Sequence, residues 1–197
     1  YDHFGEIPDS TEARKTLGIH HDKKTLLFFG FIRDYKGLDL LIEAFSKLDN
    51  TYQMVIAGEV YGSFDKYDAL IEKCTNKDNI FKHVKYISDS EVGNYFAAAD
   101  VCVLPYKSST QSGITGISYH FETPMIATDV GGLSEIIEHN KTGLIVAQPN
   151  SELLKNGIQK YFETFQDLSF VGNIKTLKKE LSWNSFANGL MRFVEKI

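Results

Sequence analysis

The sequence contains only two cysteines and four prolines in 197 residues. Cys74 and Cys102 are far apart, and neither has a second cysteine or a histidine at the spacing of a zinc site. We therefore expect reduced thiols in a cytosolic protein, with neither a disulfide framework nor a structural metal site. The six histidines include no HxxxH pair, and solvated or loop positions are expected for most of them.

Long apolar runs and an excess of basic residues are also lacking. No apolar run reaches the ~18 residues of a membrane-spanning helix, and the first residues lack a signal-peptide pattern. The formal net charge is −5 and the pI is near 5.7. Such a protein lacks the broad positive field that nucleic acid or an anionic membrane requires, so an anionic ligand would need a local group of cations.

Short apolar runs alternate with helical patterns along most of the chain. The composition, 43% hydrophobic and 24% charged, is that of an ordinary globular protein, and the length suits one domain. Near-continuous hydrophobic strands separated by helices are typical of a parallel sheet covered on both faces. We predict an α/β fold, a Rossmann-like doubly wound parallel sheet of about six strands. The predicted strands are 25–30, 52–57, 84–87, 101–104, 124–128 and 143–146.

The remaining segments set the expected domain limits. Residues 1–23 are polar, include a short helix in "TEARKTLGI", and are interpreted as a lead-in from a preceding segment. Residues 24–197 form the predicted domain, which is helical from Ser151 on. One apolar stripe there contains Leu153, Leu154, Ile158, Tyr161 and Phe162, and another contains Trp183, Phe186, Leu190 and Phe193.

A doubly wound sheet binds its ligand outside the carboxyl ends of the strands, where the strand order reverses. That rule selects five loops: 30–37, 58–63, 88–91, 105–113 and 129–133. In the first, "GFIRDYKG", Gly30 and Gly37 flank two cations, Arg33 and Lys36, beside a helix that begins at Leu38. Helix N-termini already favour anions, so this pair suits a diphosphate, although solvated surface charges are an equally ordinary interpretation. The loop matches neither the Walker pattern nor GxGxxG.

The loops 105–113 and 129–133 offer polar groups at two further helix starts. In "PYKSSTQSGITG", Gln111, Ser112 and Gly113 stand where a helix begins, and an ordinary cap with glycines for helix packing is the alternative. In "TDVGGLSEII", Glu135 lies in the first turn of a short helix, which is favourable to the helix dipole with or without a ligand. Glu59, a charge at the carboxyl end of a strand, is ambiguous in the same way.

Taken together, "FGFIRDYKGLDLLIEAF", "VIAGE", "FAAADVCVLPY", "TQSGITGISYHFETPMIATDVGGLSEIIEHNKTGLIV" and "SWNSF" resemble the retaining glycosyltransferases of the large family-four, or group 1, type. Those enzymes have the GT-B fold, in which two Rossmann-type domains face a cleft. The resemblance implies that this chain is only the carboxyl-terminal, donor-binding domain. It also implies that "YDHF" is the tail of the interdomain connection and that the acceptor-binding domain is missing from the chain.

The activity implied by the resemblance is hexosyl transfer from a nucleotide-diphosphate-sugar with the anomeric configuration retained. Arg33 and Lys36 would be the catalytic cations on the diphosphate, and Gln111, Ser112 and Gly113 would face the sugar or its phosphates, with Gly30 and Glu135 also in the donor site. The nucleotide-sugar is a co-substrate, and neither a cofactor nor a metal is required, since none of the five loops contains an Asp-x-Asp pair. The expected location is cytoplasmic, with any membrane association residing in the missing domain, and the fragment alone should be inactive.

Two departures from the family pattern keep other functions open. Phe31 stands where the commonest pattern has arginine, and the pair of glutamates separated by seven residues is absent, its positions falling near Ser109 and Ile117. In the family the second glutamate usually binds the ribose hydroxyls. A non-catalytic nucleotide-sugar-binding or scaffold module is therefore one alternative, and a sugar-nucleotide epimerase of similar two-domain shape is another.

Overall fold

A computed structural model describes residues 4–164, 169–180 and 183–194. Its central sheet has six strands, which are β1 Lys24–Phe29, β2 Tyr52–Ala57, β3 Ile80–His83, β4 Val101–Leu104, β5 Met125–Thr128 and β6 Gly143–Val146. Their order in the sheet is β3-β2-β1-β4-β5-β6, and every neighbouring pair is parallel.

Helices cover both faces of the sheet, because successive residues of a strand point to opposite sides. The helices are α1 Ser10–Leu17, α2 Leu38–Phe45, α3 Asp65–Ile71, α4 Asp89–Ala98, α5 Gly113–His120, α6 Leu133–Ile136, α7 Ser151–Thr164, α8 Phe170–Glu180 and α9 Trp183–Val194. On one face Leu26 and Phe28 pack with α2, α3 and α7, and on the other Leu27 and Phe29 pack with α1, α4, α5, α6 and α8. The predicted fold class, a Rossmann-like doubly wound parallel sheet of six strands with helices on both faces, is confirmed.

One predicted strand is wrong. The third strand is Ile80–His83 rather than 84–87, and it pairs with β2 in the register Met54↔Ile80 to Ala57↔His83. This strand lies at the edge of the sheet and is only half-buried, so its sequence "IFKH" carries a weak apolar signal. The other five strands agree with the prediction to within one residue at each end.

The predicted helix in "TEARKTLGI" is confirmed as α1, which packs on α4 through buried Ala13. Arg14 fixes this contact: its Nε donates to the carbonyl of Ala98 at 3.1 Å, and its guanidinium lies 3.0 Å from the carboxylate of Asp100. Residues 1–3 of the predicted "YDHF" connection lie outside the described residues, so the role of 1–23 as a lead-in stays a prediction.

The two apolar stripes predicted after Ser151 differ in the structure. Leu154, Ile158 and Tyr161 of α7 are buried in the core. In α9, by contrast, Leu190 and Phe193 are 54% and 63% exposed, while the side chains of Trp183 and Phe186 lie outside the described part. No helix in the described ranges is long and apolar enough to span a bilayer.

Candidate functional site

The strand order reverses between β1 and β4, and the loops that follow these two strands are in direct backbone contact. Gly37 has φ 69°, and a Cβ there would overlap the carbonyl oxygen of Pro105. The backbone N–H of Lys107 donates to the carbonyl of Tyr35 at 2.7 Å. This junction is the crevice in which an open α/β sheet binds its ligand.

Lys36 lies at this crevice with its charge uncompensated. The side chain is half-buried, and its Nζ lies 3.3 Å from the position that a Cβ on Gly30 would take and 5.6 Å from the centre of the Tyr106 ring. Burial lowers the pKa of Lys36, and the positive charge of Arg33 acts in the same direction. Among the described residues no carboxylate forms an ion pair with Lys36, whereas nearby Lys107 is paired with Asp39 at 2.7 Å.

Arg33 is exposed and does not line the cavity next to Lys36. Buried Ile32 forms an isolated β-bridge with Val60 in the loop after β2. Because side chains alternate along extended backbone, Phe31 and Arg33 point away from the side on which Ile32 is buried. The Arg33 guanidinium lies 5.9 Å from the centre of the Phe31 ring and 5.1 Å from that of Tyr61. The two predicted cations are thus neighbours with different surroundings, one inside the crevice and one on its rim.

The start of α5 faces the same crevice. Ser112 caps this helix by accepting from the backbone N–H of Ile114 at 3.3 Å, and its Oγ lies 3.0 Å from the hydroxyl of Tyr106. Tyr106 is buried, and burial raises the pKa of its phenol. Since Lys36 lies over the same ring, Tyr106 connects the first loop to the start of α5. Gly113 is exposed, with open space where a Cβ would be.

The loop before α6 packs against the loop before α5. A Cβ on Gly131 would overlap the carbonyl oxygen of Ser109, and the N–H of Gly132 donates to the carbonyl of Thr110 at 3.1 Å. Glu135 is exposed at the start of α6, beside this junction but not in the wall of the cavity. Exposed Gln111 is also placed at this rim; its carbonyl accepts from the hydroxyl of Ser109 at 3.0 Å.

A cavity of about 220 Å³ opens at the ends of β1 and β2. A Cβ on Gly58, whose φ is 136°, would overlap the carbonyl oxygen of Gly30, so the two strand ends are in direct backbone contact. The cavity is lined by Phe29, Gly30, Phe31, Lys36, Gly58, Glu59, Tyr86, Ile87 and Ile114. Tyr106, Tyr86 and Ile87 are not predicted from the sequence; the position of Tyr106, two residues after the end of β4, was the available signal.

Size alone does not identify this site. A larger, open depression of about 470 Å³ lies between Glu122 and lysines of α8, but Glu122 precedes β5 and therefore lies at the amino ends of the strands. In the portions of the chain that the structure describes, no three His, Cys, Asp or Glu side chains are grouped as metal ligands.

Comparison with known proteins gives the family. The family model described as "Glycosyl transferases group 1" matches residues 9–167. An uncharacterized glycosyltransferase of Methanocaldococcus jannaschii is 27% identical over 180 residues, which are 88% of this chain and 45% of the relative. The chain therefore spans about half the length of such a curated relative.

Solved structures share the fold. The HepE protein of Anabaena in complex with UDP superposes with a TM-score of 0.82 at 17% identity, covering 100% of this chain and 55% of that one. The carboxyl-terminal domain of a group 1 glycosyl transferase of Francisella tularensis superposes with a TM-score of 0.76 at 20% identity, covering 90% of this chain and 95% of that one. On the strength of the family match over most of its length, the chain belongs to the group 1 glycosyl transferases.

Proposed function

We propose that the chain is the carboxyl-terminal, donor-binding domain of an enzyme that transfers a hexosyl group, with retention, from a nucleotide-diphosphate-sugar to an acceptor bound by an amino-terminal domain. Two length comparisons support this division. The chain spans 45% of the Methanocaldococcus jannaschii relative, yet matches 95% of a chain described as a carboxyl-terminal domain.

The uncompensated ammonium of Lys36 is the observation that carries the proposal. A half-buried cation without a carboxylate partner costs folding free energy, because burial disfavours its charged form. That cost is offset when an anion enters the crevice. A diphosphate between Lys36 and the start of α5 would meet the ammonium on one side and the exposed backbone at Gly113 on the other.

Sugar transfer itself needs stabilisation of the leaving diphosphate, whose charge increases as the glycosidic bond breaks. Preorganised cations and N–H groups directed at that charge lower the barrier. Lys36 is already in place, and Arg33 reaches the diphosphate by rotating away from Tyr61. Leaving an exposed cation–π contact costs only about 0.5–1 kcal/mol. In this proposal Gly30, Gln111, Ser112 and Glu135 complete the donor site.

The nucleoside has space in the cavity beside Lys36. Ile87 and the 67% exposed Tyr86 form its far wall and would pack on the base, since aromatic side chains stack on any nucleobase. The Anabaena HepE protein was also solved with UDP-glucose, so uridine donors are the first to be tested.

Isothermal titration calorimetry with UDP-, GDP- and ADP-sugars tests donor binding. We expect one of them to bind and Lys36→Met to weaken that binding about 10–100-fold, the value of a hydrogen bond to a charged group. Lys141→Met is the matched control, because it removes the same charge from an exposed ion pair with Glu138. Absence of binding by the folded wild-type protein to all three classes would contradict the proposal.

A non-catalytic binding or scaffold function is the second candidate, because the positions near Ser109 and Ile117 hold no carboxylate. The full-length protein distinguishes the two functions. Loss of sugar transfer in Arg33→Ala and Lys36→Ala supports the transferase, whereas an unchanged cellular phenotype in both leaves only the scaffold. The family match favours a transferase over an epimerase, and product analysis with and without acceptor would separate them.

A further inference from the structure

Resting on the proposed function, we propose that Glu59 binds the ribose hydroxyls of the donor nucleotide. Of the described residues that line the cavity beside Lys36, Glu59 alone is acidic. A carboxylate can accept hydrogen bonds from two neighbouring hydroxyl groups, so Glu59 is the candidate ligand for the ribose.

The backbone around Glu59 is held firmly at the end of β2. Its carbonyl accepts from the N–H of Ile32 at 2.7 Å, and the N–H of Tyr61 donates back to the carbonyl of Ile32 at 3.1 Å. The preceding Gly58 is in backbone contact with Gly30. Glu59 is thus fixed one strand away from the point where the ammonium of Lys36 lies over Gly30.

The carboxylate of Glu59 has no side-chain partner within the described structure. It is exposed, and within the described ranges it takes part in neither a side-chain hydrogen bond nor an ion pair. Two acidic groups in and after the loop that follows β1 are occupied: Asp39 pairs with Lys107 at 2.7 Å, and Asp34 pairs with Lys66 at 2.6 Å. The cavity therefore presents one unpaired cation and one unpaired anion on neighbouring strand ends.

The order of these groups matches the order of groups in a nucleotide. Lys36 follows β1, Glu59 follows β2, and Tyr86 follows β3, and these three strands are adjacent in the sheet. A donor with its diphosphate at Lys36 and its base against Tyr86 has its ribose at Glu59. A carboxylate can accept from both vicinal hydroxyls of ribose, and dinucleotide-binding sheets also use an acidic residue for a ribose hydroxyl.

Titrations of UDP, GDP and ADP, each beside its 2′-deoxy analogue, test this assignment. We expect the wild-type protein to bind one ribonucleotide about tenfold more tightly than its deoxy analogue. Glu59→Ala should weaken the ribonucleotide about 10–100-fold and remove the preference for ribose. Glu59 is exposed, so the variant should fold, and thermal denaturation checks this. The control Glu43→Ala, which changes an exposed glutamate of α2 outside the cavity wall, should keep the preference.

The outcomes separate this inference from the function on which it rests. If the folded wild-type protein binds none of the nucleotides, the donor-binding function fails and the role of Glu59 with it. If the wild-type protein binds and Glu59→Ala keeps the ribose preference, only the inference is overturned. A variant that changes the preferred base, with the ribose preference intact, overturns it too and places Glu59 on the base.

Discussion

At the scale of single residues, Lys36 lowers the stability of the folded protein and is proposed to favour donor binding. Its ammonium is half-buried without a carboxylate partner in the described part of the chain, so the folded protein carries an unfavourable charge at neutral pH. Functional sites commonly retain such costs, because the group is needed for the ligand.

Lys36→Met should therefore make the ligand-free protein more stable at pH 7 while weakening donor binding. Burial lowers the pKa of Lys36 in the folded state, so as pH rises through that lowered pKa the folded protein releases the proton first and becomes relatively more stable. The stability advantage of the variant should shrink as pH increases toward the unfolded-state pKa. Urea denaturation between pH 7 and about 10 measures this, and a variant less stable than wild type at pH 7 would contradict it.

Arg14 illustrates a cation with the opposite role. It is 9% exposed and hydrogen-bonds the carbonyls of Ala98, His21 and Lys23 while pairing with Asp100. Arg14→Ala should cost about 3 kcal/mol of unfolding free energy, because one buried and two part-buried carbonyls lose their donor and Asp100 loses its partner. Chemical denaturation measures this cost, and Lys15→Ala on the same helix, where Lys15 is exposed, should cost less than about 0.5 kcal/mol.

At the scale of elements, two glycines share the same backbone conformation but differ in how closely other atoms approach them. Gly18 ends α1 with φ 68° and ψ 26°, and Gly37 precedes α2 with φ 69° and ψ 27°. Open space surrounds the Cβ position of Gly18, whereas that of Gly37 is occupied by the carbonyl of Pro105. Left-handed backbone alone costs a non-glycine residue about 1–2 kcal/mol.

Gly18→Ala should therefore cost about 1–2 kcal/mol in unfolding free energy. Gly37→Ala should cost at least about 3 kcal/mol, because overlap with the loop after β4 is added to the same strain. Donor affinity should fall only in Gly37→Ala, since Lys36 is adjacent. Equal losses of stability in the two variants would show that the contact between the loops is not rigid.

The elements also show what the sequence can predict. A fully buried strand such as β2 can be predicted because five of its six residues are apolar, all except Gln53. The half-polar edge strand β3 is identified only through its pairing with β2. At the site, glycine placement and strand ends predicted where Lys36 and Ser112 lie. The exposed position of Arg33 depends on the bridge between Ile32 and Val60, a long-range contact without a local pattern.

At the scale of the whole molecule, α9 presents an apolar surface. Leu190, Met191, Phe193 and Val194 are each more than half exposed, at 54%, 62%, 63% and 63%. Exposed apolar groups of this kind promote association. Their removal should change solubility rather than folding.

The double variant Met191→Gln and Phe193→Gln should alter the unfolding free energy by less than about 1 kcal/mol, since each exposed position contributes little. Self-association of the isolated chain, measured by sedimentation velocity over a concentration series, should decrease. Ile158→Gln in α7 is the contrasting variant: Ile158 is fully buried, and it should cost several kcal/mol. A similar loss of stability in the α9 variant would mean that this surface packs within the domain.

The placement of the two cysteines has a practical consequence. Cys74 belongs to one core layer and Cys102 to the other, and burial raises the pKa of both thiols, that of Cys102 to about 12. Because alkylating reagents attack the thiolate, iodoacetamide can modify each cysteine only when its own side of the sheet opens. The alkylation rates of the two cysteines, measured by mass spectrometry, would thus report how often each core layer opens. No cysteine or label has to be introduced for this measurement.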